Sequence, residues 1–172
     1  MEGVYFQRSS LRRCKLSNVD LTELQDRLLQ AFPPAVFDRV VSTHDECDEG
    51  IALRRELPGK SWVEVSAQFV DGNSSSLPLL EPAGLVAFLP AWLRRSIETF
   101  HRDSLVLEFA LYFLVSGNED DGWDDERIAE LAELFNPSQR SVVGDWLQQI
   151  RECPELCVFH EQAFIGLRWW RT

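Results

Sequence analysis

Three features of the sequence predict an all-α fold, an irregular multi-helix bundle. Apolar residues recur every third or fourth position along most of the chain. Prolines and small polar residues sit where helices would start or stop. Charge also runs from acidic to basic along a candidate helix, as a helix dipole favours. The first helix follows Asp20, which with Glu23 makes a capping box, and buries Leu21, Leu24, Leu28 and Phe32. Pro33-Pro34 stops it, or starts a short second helix carrying Val36, Phe37 and Val40. Residues 45–57 read as a helix, basic near its end at Arg54 and Arg55 and closed by Pro58-Gly59. Residues 62–65 alone have strand character, so at most a minor strand is expected there. Ser66 caps a short helix ending at Gly72, and residues 73–76 form a surface loop.

Pro82 suits the first position of the next helix, which is expected to split or kink at Pro90 and so form a pair over residues 81–89 and 91–101. Ser104 caps a helix over residues 105–115, closed by Gly117. That helix is apolar nearly all round, which predicts a place at the centre of the bundle. Beyond an acidic connection, Asp124 or Asp125 starts a helix with Ile128, Leu131, Ala132 and Phe135 on one face. Asn136-Pro137-Ser138-Gln139 supplies a cap, a first-turn proline and a glutamine three positions after the cap. The helix it opens buries Val142, Val143, Trp146, Leu147 and Ile150. After Pro154 the chain is either extended at residues 157–159 or helical. A last helix is favoured, with Phe164, Leu167 and one of Trp169 or Trp170 packing back.

The 172 residues fit a single globular helical domain over 1–172. Seventeen basic residues against 28 acidic ones give a net charge of -11. That sign argues against nucleic acid and anionic membrane, and favours a basic protein partner or plain solvation. Residues 1–16 run the other way, with Arg8, Arg12, Arg13 and Lys15 against Glu2, and read as a basic arm that is loose or paired with an acidic patch. Asp45, Glu46, Asp48 and Glu49 form one such patch. The four cysteines show no disulfide framework and no secretory segment is evident, so reduced thiols and a cytoplasmic location are expected.

No phosphate loop, nucleophile elbow or other cofactor motif appears, so no cofactor is expected. The functional lead is the run between Ser116 and Phe135, where eight carboxylates face one arginine. Its centre, Glu119, Asp120, Asp121, Trp123, Asp124, Asp125 and Glu126, is the candidate partner-binding site. Trp123 either staples this loop to the bundle or anchors an interface. The run fails the EF-hand template, because Gly122 as its sixth residue puts Gly117 at the first ligand position and Ile128 at the last. A second accident of that template, Asp45, Glu49, Gly50 and Glu56, has Cys47 where an oxygen ligand belongs. A zinc set of His44, Cys47, Cys153, Cys157 and His160 lacks the usual short paired spacing, and buried thiols are the better reading. Glu108, inside an apolar helix, implies a buried carboxylate paired with Arg94, Arg95 or Arg102. With His101 and Asp103 it could instead be drawn as an acid/base group.

Several segments together resemble an uncharacterised bacterial family of small acidic helical proteins. They are Gly59-Lys60-Ser61-Trp62, Leu77-Pro78-Leu79-Leu80 before Glu81-Pro82, Phe88-Leu89-Pro90-Ala91-Trp92-Leu93, Ser104-Leu105-Val106-Leu107-Glu108-Phe109 and Phe135-Asn136-Pro137-Ser138-Gln139-Arg140. The likeness spans about residues 47–170 and implies a helical fold. Family members often carry a cysteine pair before the glycine-lysine turn, whereas this chain has Cys47 alone, with His44 three residues earlier. Small acidic proteins of this type are often immunity partners of secreted toxins. The expectation is a non-enzymatic protein-binding domain, an immunity protein that neutralises a basic toxin. A small metal-dependent or hydrolytic enzyme and a housekeeping helical domain are the alternatives.

Overall fold

The computed structural model describes residues 18–100, 104–115 and 125–171, and over them the fold is all-helical. The elements are α1 (Asn18–Ala31), α2 (Asp48–Glu56), α3 (Ala67–Gly72), α4 (Pro82–Glu98), α5 (Leu105–Val115), α6 (Asp125–Glu133), α7 (Pro137–Glu152) and α8 (His160–Trp170). Single 3-10 segments cover Trp62–Glu64, Leu77–Leu79 and Pro154–Phe159. No described helix is long and apolar enough to cross a membrane.

α1 has begun by Asn18, so Asp20 lies inside the helix instead of capping it. After Phe32 the two prolines, which have no N–H to donate, end helical pairing. No second helix forms. Residues 33–46 are an irregular strap, held by Phe37 N–H to the Lys60 carbonyl at 3.0 Å and by Glu81 N–H to the Val41 carbonyl at 2.9 Å. Phe37 turns inward, edge-on to Phe88, while Val36 and Val40 face out. Residues 62–65 are not a strand: Trp62–Glu64 is a 3-10 turn whose capping box joins Ser61 and Glu64. The ladder-type contact lies just beside it, as an isolated bridge between Phe37 and Lys60.

α2 starts at Asp48, three residues later than its charge pattern predicts, because the Cys47 thiol caps it by accepting from Gly50 N–H at 3.3 Å. Gly59, at φ +76, makes the left-handed turn after it. α3 is capped by Ser66 as expected. The serines after it are not a surface loop throughout, since Ser74 and Ser76 are buried.

α4 runs unbroken through Pro90. An interior proline loses one hydrogen bond and crowds the carbonyl four residues back, at a cost of about 3 kcal/mol. Here Phe88, Leu89, Ala91, Trp92 and Leu93 are all fully buried around it, and that packing keeps the helix continuous. α7 starts at the Asn136 capping box, with Gln139 bonded back to Asn136 N–H, and it buries the five residues expected of it. α8 closes the bundle between α5 and α7. Gly166 makes this approach possible, since a Cβ there would stand 2.6 Å from a Val115 methyl. Trp170 is the tryptophan that faces inward, whereas Phe164 is half exposed and lies under Arg151.

Four buried tryptophans bind the elements to one another through their indole N–H groups. Trp62 donates to the Phe32 carbonyl at 2.8 Å, Trp92 to Asn73 at 3.2 Å, Trp146 to the Ser96 hydroxyl at 2.8 Å and Trp170 to the Leu114 carbonyl at 3.0 Å. A buried indole needs such a partner, so each bond fixes one pair of neighbours.

Candidate protein-binding surface

Most of the acidic run, including Glu119, Asp120, Asp121, Trp123 and Asp124, lies outside the described residues, as do His101, Arg102 and Asp103. The described part is α6. Its apolar face is the expected one, with Ile128, Leu131 and Ala132 buried and Phe135 buried just beyond its end. Asp125, Glu126, Glu130 and Glu133 are all exposed. The one cation of this helix, Arg127, reaches across to α5. Its guanidinium donates to the Phe113 carbonyl at 2.8 Å and stacks on the Phe113 ring at 5.4 Å. The fully exposed charged residues of α6 are all carboxylates.

Charge elsewhere is more balanced. Arg54 pairs with Asp45 at 3.6 Å, while Glu46, Asp48 and Glu49 stand exposed. Arg95 holds Asp71 through two bonds of 2.7 and 2.8 Å and also reaches Glu98, and the Asp71 contact pushes its pKa upward. Arg94 serves the backbone, donating to the Val63 and Val65 carbonyls at 3.2 and 2.8 Å and lying over the Trp62 ring. Glu64 is held below the usual carboxylate range by the Ser61 backbone N–H and hydroxyl. Glu56 is lowered by the Arg55 guanidinium, with Lys60 adding to it. These groups hold the fold. Between α1 and α7 a recess of about 130 Å³ is lined by Glu23, Arg27, Asp145, Gln148 and Gln149, and the Arg27–Asp145 ion pair bridges it.

Glu108 corrects the expectation of a buried carboxylate. It is exposed, and Arg94 and Arg95 are committed elsewhere. Its helix is not wrapped on all sides. Leu105, Phe109 and Tyr112 share an outer face with it and are 62%, 38% and 38% exposed. Against the first turn of this face lies the 3-10 segment Pro154–Phe159, whose Val158 is 70% exposed. Together they form an open groove of about 270 Å³, with Leu105, Leu107, Leu156, Val158 and Phe159 as its apolar walls and Glu108 and Glu155 at its edge. The sequence carried a signal for this surface: positions 105, 109 and 112 follow helical spacing together with a glutamate, and a glutamate seldom faces inward.

The zinc set does not assemble. Among the described residues no three or more His, Cys, Asp or Glu side chains gather to hold a metal ion. Cys47 caps α2, Cys153 is buried with its thiol donating to Glu155 at 3.3 Å, Cys157 is exposed, and the His160 ring bonds the Cys153 carbonyl at 2.8 Å. The EF-hand accident at Asp45 fails because Glu49, Gly50 and Glu56 lie within α2. No family model, curated protein or solved structure matches this chain.

Proposed function

We propose that this chain is a non-catalytic binding domain for a cationic protein, and that it serves in a bacterial cytoplasm as the immunity partner of a basic toxin. The observation that carries the reading is the outer face of α6. Four exposed carboxylates, Asp125, Glu126, Glu130 and Glu133, follow one another there. The sequence immediately before α6 extends the same charge with Glu119, Asp120, Asp121 and Asp124. Like charges held this close raise the self-repulsion of the folded protein, and a basic partner relieves it. Such a surface accelerates encounter and selects the partner's sign, while contact area supplies the affinity.

The test is capture of a partner from the source cell by the full chain. It compares about 0.15 M salt, where charges reach roughly 8 Å, with about 1 M, where they reach roughly 3 Å. The expected catch is a basic protein released at high salt. It should also be lost when Asp125→Asn, Glu126→Gln, Glu130→Gln and Glu133→Gln are combined, with helicity retained by circular dichroism. Binding indifferent to both salt and the four changes would refute the reading.

A further inference from the structure

We infer that the groove between α5 and the Pro154–Phe159 segment is the seat of an amphipathic helix of the cationic partner, which lays its apolar stripe along α5. The inference rests on the reading of the chain as a binder of cationic protein, and adds where the contact area lies and what shape fills it. The most apolar helix of the fold leaves Leu105, Phe109 and Tyr112 open to solvent in one line, and Val158 stands opposite the first of them. From residue 105 to residue 112 that line runs about 10 Å, two turns of helix.

The mode of recognition follows from what the surface offers. Among the described residues there is only an isolated β-bridge and no strand edge, so a partner cannot add a strand. The groove, at about 270 Å³, falls below the roughly 300–1,000 Å³ of a small-molecule cleft, and the exposed Phe109 and Tyr112 continue its apolar surface along α5. A helix presenting apolar residues at positions one, four or five, and eight matches a stripe of the same period.

The charge around the groove selects the sign of the occupant. Glu108 lies within the stripe and is exposed, and Glu155 on the facing wall holds the Cys153 thiol. Arginine or lysine beside the apolar residues of the incoming helix meets Glu108, whereas an acidic helix is repelled. The stripe also leads toward the proposed α6 surface, because Arg127 of α6 reaches the Phe113 carbonyl near the far end of α5. One amphipathic helix can thus rest its apolar side on α5 while the remainder of a cationic protein faces α6.

The probe is a labelled synthetic helix of leucine and lysine with its leucines on one face, titrated with the full chain and read by fluorescence anisotropy. A permuted peptide of the same composition, with leucines spread around the helix, serves as its control. The one-faced peptide should bind at least about tenfold more tightly than the permuted one. Leu105→Gln and Val158→Thr keep the net charge and alter exposed positions, and each should weaken binding about tenfold. Leu29→Gln, an exposed apolar residue on α1, should leave it unchanged. Amide exchange should slow in α5 and in residues 154–159 on binding. Equal binding of both peptides would overturn the inference, as would indifference to the two groove changes. So would a dimer in solution that Leu105→Gln dissociates, because the occupant would then be a second copy. The four α6 changes separate the two proposals when the basic protein captured from the cell replaces the peptide. Loss of its binding on those changes alone sinks the groove and spares the acidic face, and loss on the groove changes alone does the reverse.

Discussion

At the scale of single residues, the polar contacts of this protein mostly serve its backbone. Arg94 holds two carbonyls of the Trp62–Val65 turn, and Glu64 holds the Ser61 N–H at 2.7 Å and its hydroxyl at 2.9 Å. The Ser61–Glu64 box is a short-range pattern that the strand reading of residues 62–65 passed over, whereas the Arg94 bonds were not legible in the sequence. Spacing shows which residues share a face, but not that a guanidinium on α4 meets a turn some thirty positions earlier. Arg127 shows the same limit: charge counting places it among eight carboxylates, and does not show that it also reaches the Phe113 carbonyl of α5. The Glu64 bond has a consequence in pH. Its folded pKa lies below its unfolded one, so its contribution is present above the ordinary carboxylate range and is lost as pH falls through the folded value. Glu64→Gln should therefore lower the thermal midpoint at neutral pH, and the gap to the parent protein should close on acidification. A gap that stayed constant with pH would show that the carboxylate charge contributes nothing.

At the scale of elements, the local signals that proved readable were those in which chemistry acts within a few residues. The Asn136 box, the Ser66 cap and the buried faces of α6 and α7 all follow from short-range pattern. Asn136→Ala removes the acceptor for Gln139 N–H at 3.0 Å and should cost about 0.5–2 kcal/mol in denaturant unfolding, with an unchanged slope. A cost near zero would mean that packing of α7 fixes its start without the cap. One element was misread because distant packing outweighs local preference: Pro90 sits in an unbroken α4. The start of α2 was misread for a local reason, because its cap is the thiol of Cys47, an unusual capping residue. α5 illustrates a further limit. Its composition suits full burial, yet four of its eleven residues face outward because α8 and α4 cover only the other sides.

At the scale of the whole molecule, one continuous core joins α1 to α8, and its closing piece is Trp170, fully buried and edge-on to Phe135 at 5.4 Å. Trp170→Ala would remove both the ring and its bond to Leu114. It should destabilise the protein by about 3–5 kcal/mol, a large part of the stability of a domain this size. A loss below about 1 kcal/mol in denaturant unfolding would show that α8 is an appendage, not a wall of the core. The all-helical class and the burial of Trp146 were legible because burial follows composition and period. Which outer face stays open was not, because that depends on how many neighbours a helix acquires in space. The late position of α8 along the chain also matters while the protein is being made. At about 5–20 residues per second, synthesis passes from α5 to α8 in several seconds. Throughout that interval the nascent chain displays the α5 flank that α8 will cover, including Val115 and Leu114. Sticky flanks of this kind attract chaperones and neighbouring nascent chains alike, so yield in the cell should depend more on translation speed and chaperone supply than on the stability of the finished fold.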